Sequence, residues 1–95
     1  MAEIHYSPLA LNDLDEIWKY ISETLCNPAA AQNTVDGIID SVDMLADHPQ
    51  MGTSLYFTSG LNSGYRYIIH GNYMTFYRIN KLDIYIDRIL YGKSN

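Results

Sequence analysis

The stretch that decides the fold is Tyr65-Arg66-Tyr67-Ile68-Ile69-His70-Gly71-Asn72-Tyr73-Met74-Thr75-Phe76-Tyr77-Arg78-Ile79. Its β-branched and aromatic side chains are typical of strands, and His70-Gly71-Asn72 supplies a turn between two of them. Asn80-Lys81 supplies a second turn, and the run from Ile84 to Tyr91 repeats the strand composition. The C-terminal third therefore predicts a three-stranded antiparallel meander that carries Arg66, Arg78 and Arg88, one on each strand.

Two helices are predicted before this meander. Ser7-Pro8 and Asn27-Pro28 each place a capping side chain before a proline, which suits the first turn of a helix. Apolar residues at steps of three and four extend the helices from Pro8 to Leu25 and from Pro28 to Asp47. They predict a buried set of Trp18, Ile21, Val35, Ile38 and Val42. Gly37, inside the second helix, indicates close packing there. The stripe of the first helix that is expected to face the sheet consists of Leu11, Leu14, Ile17, Trp18, Ile21 and Leu25.

The remaining segments complete the predicted architecture. Glu3 to Tyr6 alternates apolar and polar residues, as a short strand does, whereas residues 51–64 are rich in Gly and Ser and are predicted to be a loop. Helices that do not alternate with strands indicate an α+β fold. We expect one domain over residues 1–95, in which an N-terminal strand joins an antiparallel sheet completed by the meander and an antiparallel helical hairpin packs on one face of that sheet.

Composition narrows the function classes. The 95 residues have a formal net charge of −5, which argues against direct nucleic-acid binding through a broad basic face. A single cysteine excludes internal disulfides, and the scattered His5, His48 and His70 have no zinc-finger spacing. We expect no metal and no cofactor. No apolar run has the length of a membrane span, so the expected location is the cytoplasm.

The order of several short motifs resembles the RelE/ParE toxin superfamily, and its ParE branch in particular. The resemblance spans nearly the whole chain. It is carried by Ser7-Pro8, Asp13-Leu14-Asp15-Glu16-Ile17-Trp18-Lys19-Tyr20-Ile21, Asn27-Pro28-Ala29-Ala30-Ala31, Leu45-Ala46-Asp47-His48-Pro49-Gln50-Met51-Gly52, Gly64-Tyr65-Arg66, His70-Gly71-Asn72-Tyr73, Phe76-Tyr77-Arg78 and Asp87-Arg88-Ile89-Leu90-Tyr91-Gly92.

This resemblance implies a bacterial toxin of a type II toxin–antitoxin system, of the kind associated with plasmid stabilisation, which a cognate ParD-like antitoxin neutralises by direct binding. ParE-like toxins act on DNA gyrase, whereas RelE-like relatives cut mRNA on the ribosome. An antitoxin segment is expected to dock in an apolar groove or along a sheet edge, and residues 51–64 are a candidate border of that surface.

The choice between these targets depends on chemistry. RNA cleavage needs a base, an acid and cations near the phosphate, and RelE-like nucleases carry an arginine where this chain has Met74. Gyrase inhibition is therefore the favoured prediction, with Arg66, Arg78, Arg88, Tyr91 and Lys93 as target-binding candidates. A ribosome-dependent endonuclease and an inactive antitoxin-binding member stay open as alternatives, so enzymatic activity is undecided. The three arginines are also candidates for ordinary ion pairs with nearby carboxylates.

Overall fold

The computed structural model describes residues 2–92, which form one sheet with a helical hairpin packed on one of its faces. The strands are β1 (Glu3–Tyr6), β2 (Thr53–Tyr56), β3 (Asn62–His70), β4 (Tyr73–Asn80) and β5 (Asp83–Tyr91). The helices are α1 (Pro8–Lys19) and α2 (Pro28–Asp43). A π-helical turn, Tyr20–Thr24, extends α1, and a 3-10 turn, Met44–Ala46, extends α2.

Both helices begin where the sequence predicts. The Ser7 hydroxyl accepts the Ala10 N–H at 3.0 Å, and the Asn27 side-chain oxygen accepts the Ala30 N–H at 3.0 Å. Each bond satisfies one of the amides that a helix leaves free in its first turn. Proline at the next position removes another free amide, so the two cap-plus-proline pairs fix both helix starts.

The first helix ends differently from the prediction. Its last turn is wider than an α-helical turn, because the Leu25 N–H bonds to the carbonyl of Tyr20 at 3.0 Å. The wider turn shifts the residues that follow it around the helix axis, and the side chain of Leu25, predicted to belong to the buried stripe, is exposed. Single π-helical turns often lie at functional sites.

The sheet order is β1-β5-β4-β3-β2. The predicted meander β3-β4-β5 is antiparallel throughout, and the predicted α+β fold is confirmed. Two details differ from the prediction. β1 pairs in parallel with β5, which makes the sheet mixed, and Thr53–Tyr56, which was predicted to be loop, forms the edge strand β2.

The core lies between the hairpin and the inner face of the sheet. It contains Ala10, Leu14, Ile17, Ile21, Ala31, Ile38, Val42, Leu45, Ile68, Tyr77, Ile84, Ile86 and Ile89. The prediction for Trp18 was wrong, since 37% of this residue is exposed. The buried stripe of α1 follows Ala10, Leu14 and Ile17, so it is narrower than predicted, and both Leu11 and Trp18 lie beside it.

Close packing at Gly37 agrees with the sequence. A Cβ atom added there would lie 2.6 Å from Cε1 of His70, so the absence of a side chain lets the imidazole lie against α2. Among residues 2–92, none of the helices combines the length and the apolar character that crossing a bilayer requires.

Candidate functional site

The first of the three strand arginines lies on the helix-facing side of the sheet. Arg66 pairs in register with the buried Tyr77, and opposite residues of neighbouring strands share a face. Its guanidinium donates to the carbonyl of Gly52 at 2.8 Å and to that of Gln50 at 3.3 Å. Tyr77 holds the same segment, since its hydroxyl donates to the carbonyl of Pro49 at 2.8 Å. Arg66 therefore supports the turn before β2.

The second arginine lies on the open face of the sheet, which the helices do not cover. Arg78 pairs in register with Tyr65 and Tyr85, and its guanidinium carbon lies 4.5 Å from the centroid of the Tyr85 ring. Its Nε donates to a carboxylate oxygen of Asp87 at 3.1 Å. Close to half of the Arg78 side chain is exposed, so its charge is available to a partner.

The third arginine lies at the edge of β5. Arg88 donates to both carboxylate oxygens of Asp13, at 2.8 and 3.0 Å, and the N–H of Ile89 donates to Asp13 at 2.8 Å. Burial alone would raise the pKa of the Asp13 carboxyl, but the bonds from Arg88 and Ile89 outweigh it and lower that pKa. Asp13 thus ties α1 to the part of β5 that extends beyond β1.

The four predicted target-binding residues that the structure describes therefore do not form one patch. Arg66 faces the helices, whereas Arg78 lies on the open face and Arg88 reaches around the edge of β5 to α1. Tyr91 is exposed at the end of β5, and Lys93 lies outside the described residues. The alternative prediction, that the arginines form ion pairs with carboxylates, is confirmed for Arg78 and Arg88.

A groove of about 860 Å³ opens between the end of α1, its π-helical turn and the end of β5. We call this the hairpin groove. The residues that line it are Asp13, Glu16, Ile17, Tyr20, Ile21, Leu25, Thr34, His70, Gly71, Asn72, Tyr73, Ile89, Leu90 and Tyr91. Within residues 2–92, neither lysine nor arginine lines it, and the carboxylates that do are those of Asp13 and Glu16.

The rim of the hairpin groove is aromatic and apolar. Tyr20, Leu25 and Tyr91 are 52%, 55% and 59% exposed, although all three have large apolar side chains. The rings of Tyr73 and Tyr91 meet edge to face at 5.7 Å. Burial and the neighbouring hydroxyls of Tyr91 and Tyr20 raise the pKa of Tyr73, so its hydroxyl stays protonated and uncharged at neutral pH.

The free edge of β5 borders the same groove. β1 pairs only with Asp83–Ile86, so β5 extends beyond it from Asp87 to Tyr91. At this edge the N–H of Ile89 already donates a hydrogen bond to the carboxylate of Asp13. An extended or helical segment of a partner would find both an apolar surface and an incompletely paired strand here.

The sequence did not predict the hairpin groove, because the residues of the rim were either predicted to be buried or not singled out. Leu25 was predicted in the core stripe, and Tyr20 was not singled out. The π-helical turn that exposes Leu25 has no sequence pattern of its own. One feature of the sequence indicated an exposed apolar surface: the first helix has more apolar residues than a single buried stripe can hold.

Comparisons with known proteins agree with the fold and the motifs. Residues 4–95 match the family described as ParE toxin of type II toxin-antitoxin system, parDE. Toxin ParE1 of Caulobacter vibrioides is 32% identical over 95 residues, which are all of this chain and 94% of that protein.

Two solved structures are similar in fold. The chromosomal ParDE toxin–antitoxin system of P. aeruginosa matches with a TM-score of 0.80 and 22% identity, over 98% of each chain. The toxin–antitoxin complex RelBE2 of Mycobacterium tuberculosis matches with a TM-score of 0.63 and 18% identity, over 95% of this chain and 96% of that one. These two structures support the fold. The family match over residues 4–95 and the 32% identity to Toxin ParE1 lead to one conclusion. This chain belongs to the ParE toxin family of type II toxin–antitoxin systems.

Proposed function

We propose that this protein inhibits DNA gyrase by binding to it, and that a cognate antitoxin neutralises it. The observation that carries the choice of a binding inhibitor over a nuclease is the separation of Arg66, Arg78 and Arg88. Each guanidinium is already bound to a carbonyl or a carboxylate, and the three do not converge on one point. A bacterial gyrase inhibitor acts in the cytoplasm, where the exposed free thiol of Cys26 would stay reduced.

RNA cleavage would require a different arrangement. A scissile phosphate needs cations beside it in the transition state, together with an acid and a base. Among the described residues, the hairpin groove presents the carboxylates of Asp13 and Glu16, the imidazole of His70 and tyrosine hydroxyls, but neither lysine nor arginine. Carboxylates repel phosphate. Met74 lies on the open face, in register with Ile69 and Leu90, where it adds apolar surface rather than charge.

The open face is the surface that we assign to gyrase. It presents Tyr65, Tyr67, Ile69, Met74, Phe76 and Leu90 around Arg78, and Arg88, whose guanidinium is bound to Asp13, lies at its edge. Aromatic residues and arginine are the types that dominate binding energy at protein interfaces. Of the predicted candidates, Arg78, Arg88 and Tyr91 remain in this proposal. Arg66 is better explained by its bonds to the turn before β2.

The test compares supercoiling by purified gyrase with cleavage of mRNA on programmed ribosomes. We expect the protein to inhibit supercoiling or to promote gyrase-linked DNA breaks, and to leave the mRNA intact. Arg78→Ala should weaken inhibition at least about fivefold, because arginine contacts at interface centres commonly contribute more than about 1 kcal/mol. Lys81→Ala, in the exposed turn between β4 and β5, is the matched control and should inhibit normally.

Two results would contradict this proposal. Codon-positioned cuts in mRNA with normal supercoiling would identify a ribosome-dependent nuclease, and the acid and base would then be sought among His70, Tyr91 and Lys93. No effect on either target, with antitoxin binding intact, would identify a member that only binds its antitoxin.

The antitoxin is assigned to the hairpin groove. An apolar helix or strand of the antitoxin would cover Tyr20, Leu25 and Tyr91, and a basic side chain on it would face Glu16. Both modes of peptide recognition, a helix in a groove and addition to a strand edge, are compatible with this surface. Residues 51–64, the predicted border, contribute none of the lining residues.

Co-expression with the product of the adjacent gene tests this assignment. We expect a complex that co-purifies, and Leu25→Asp should disrupt it because a carboxylate would be buried against an apolar partner. Leu82→Asp is the matched control, since Leu82 is even more exposed but lies in the turn between β4 and β5. Equal binding by the two variants would place the antitoxin on another surface.

A further inference from the structure

The start of the sheet brings together three side chains that bind metal ions. Glu3 and His5 are two residues apart on β1, so they point to the same face. Glu3 pairs in register with Asp83, the first residue of β5, and this parallel pairing brings the Asp83 carboxylate beside them. The hairpin groove lies at the other end of β5, so this cluster is separate from the groove, and it lies on the open face beside Tyr85 and Arg78.

The spacing of the ligand atoms is close to that of a metal site. Nε2 of His5 lies 2.8 Å from Oδ1 of Asp83, and one ligand atom from each of Glu3, His5 and Asp83 lies within 4.8 Å of the other two. Ligands about 2.0–2.1 Å from a tetrahedral zinc ion are separated by roughly 3.4 Å. Glu3 is exposed, so its side chain is free to change rotamer and bring its carboxylate closer to the other two ligands.

The imidazole is held in place by its neighbours. The His5 ring stacks on that of Tyr85 with centroids 5.1 Å apart and an angle of 22° between the rings. Tyr85 is in turn covered by Arg78. About 40% of each side chain in the His5–Asp83 pair is exposed, which leaves room for water to complete the coordination of an ion.

We propose that Glu3, His5 and Asp83 form a zinc site that fastens the N-terminal strand to β5. One imidazole nitrogen and two carboxylate oxygens are ligands that Zn²⁺ accepts, and the imidazole favours it over Mg²⁺ or Ca²⁺. The two carboxylates also balance the charge of the ion. Because β1 has four residues and, within residues 2–92, pairs with β5 alone, an ion shared between β1 and β5 restrains a short edge strand of the sheet.

Binding at this site stabilises the native state. Asp83 is 78 positions from His5 and 80 from Glu3, so the unfolded chain does not hold the three ligands together. An ion that binds only the folded protein raises its unfolding temperature. An ordinary surface ion pair between His5 and Asp83 gives the same hydrogen bond but no response to zinc. The two explanations therefore differ in a measurable way.

The experiment titrates chelator-treated protein with zinc chloride by calorimetry and follows thermal unfolding. The Cys26→Ser background removes the exposed thiol as a competing ligand. We expect saturable binding of one ion and an unfolding temperature that rises by several degrees at saturation. His5→Gln should weaken binding at least about tenfold, since even residues that only support metal ligands change affinity by 10–100-fold.

Two controls make the result specific. His48→Gln removes another exposed histidine and should bind zinc as the parent does. Asp83→Asn removes the ligand that β5 supplies and should also weaken zinc binding. Thermal unfolding measured without zinc shows that each variant is folded. Absence of binding by the parent, or equal loss of binding in His5→Gln and His48→Gln, would overturn the proposal.

Discussion

Two tyrosine hydroxyls offer a direct test of the packing between the sheet and the chain around it. Tyr77 is completely buried, and its hydroxyl accepts the N–H of Gly52 at 3.0 Å while it donates to the carbonyl of Pro49 at 2.8 Å. These bonds hold the turn that leads into β2. Tyr6 is also directed towards the core, but within residues 2–92 its buried hydroxyl has no hydrogen-bond partner. The same substitution, tyrosine to phenylalanine, should therefore have opposite effects at the two positions.

The magnitudes follow from the bonds that are lost. Tyr77→Phe removes two hydrogen bonds, each of about 1 kcal/mol, and leaves the buried amide of Gly52 without its partner. The expected loss in the free energy of unfolding is about 2–4 kcal/mol, or roughly 10–30 °C in unfolding temperature for a domain of this size. Tyr6→Phe removes a buried group that has lost water without gaining a bond, so it should raise stability by up to about 1 kcal/mol.

The measurement is urea-induced unfolding of the parent and the two variants, followed by circular dichroism. Both variants keep the aromatic ring, so the difference between them reports the hydroxyl groups alone. A Tyr77→Phe protein as stable as the parent would show that the turn before β2 does not depend on this side chain. A Tyr6→Phe protein that loses more than about 1 kcal/mol would show that the Tyr6 hydroxyl has a partner after all.

Three further predictions concern packing and pH. Trp18→Ala should lower the free energy of unfolding by only about 1 kcal/mol, well below the 3–5 kcal/mol typical of a buried tryptophan, and a larger loss in denaturant titrations would return Trp18 to the core. Gly52→Ala should destabilise the protein by at least about 2 kcal/mol, because the added Cβ would overlap the Tyr77 ring. Gly37→Ala should be nearly neutral, because the exposed His70 can move and alanine favours a helix. Equal shifts in unfolding temperature for the two variants would contradict this. Burial and the neighbouring Asp43 raise the pKa of Tyr6 from 10.0 to about 12. Between pH 10 and pH 12 the folded state therefore keeps this proton while the unfolded state loses it, so the stability of the protein should fall over this range. An unfolding temperature that stays constant over this range would refute the prediction.

The predictions that succeeded rest on local chemistry. Gly71 and Lys81, which lie in the two turns of the meander, each have a φ of 58°. Glycine adopts this conformation freely, and both turns separate runs of residues that suit strands. The caps at Ser7 and Asn27 are equally local, because a side chain bonds to a backbone amide three residues away. Such features need no information about the rest of the fold.

The predictions that failed depend on partners distant in the sequence. Thr53–Tyr56 lies between residues typical of loops, and it becomes a strand because β3 offers an unpaired edge. The faces of the arginines depend on register, since a shift of one residue turns every side chain of a strand over. A bulge in β5 adds a further residue, because Tyr77 pairs with Ile86 and Phe76 with Arg88. None of these can be read from one strand alone.

The position of Tyr91 links the two proposed binding surfaces. This residue lines the hairpin groove and is also one of the target-binding candidates, and its neighbour Leu90 reaches the open face while lining the same groove. Occupation of the groove by an antitoxin would therefore bury part of the surface that we assign to gyrase. Neutralisation would follow from direct competition at the end of β5, without a change in the fold of the toxin. A ternary complex of the toxin, its antitoxin and gyrase would then not form, and its isolation would show that the two surfaces are independent.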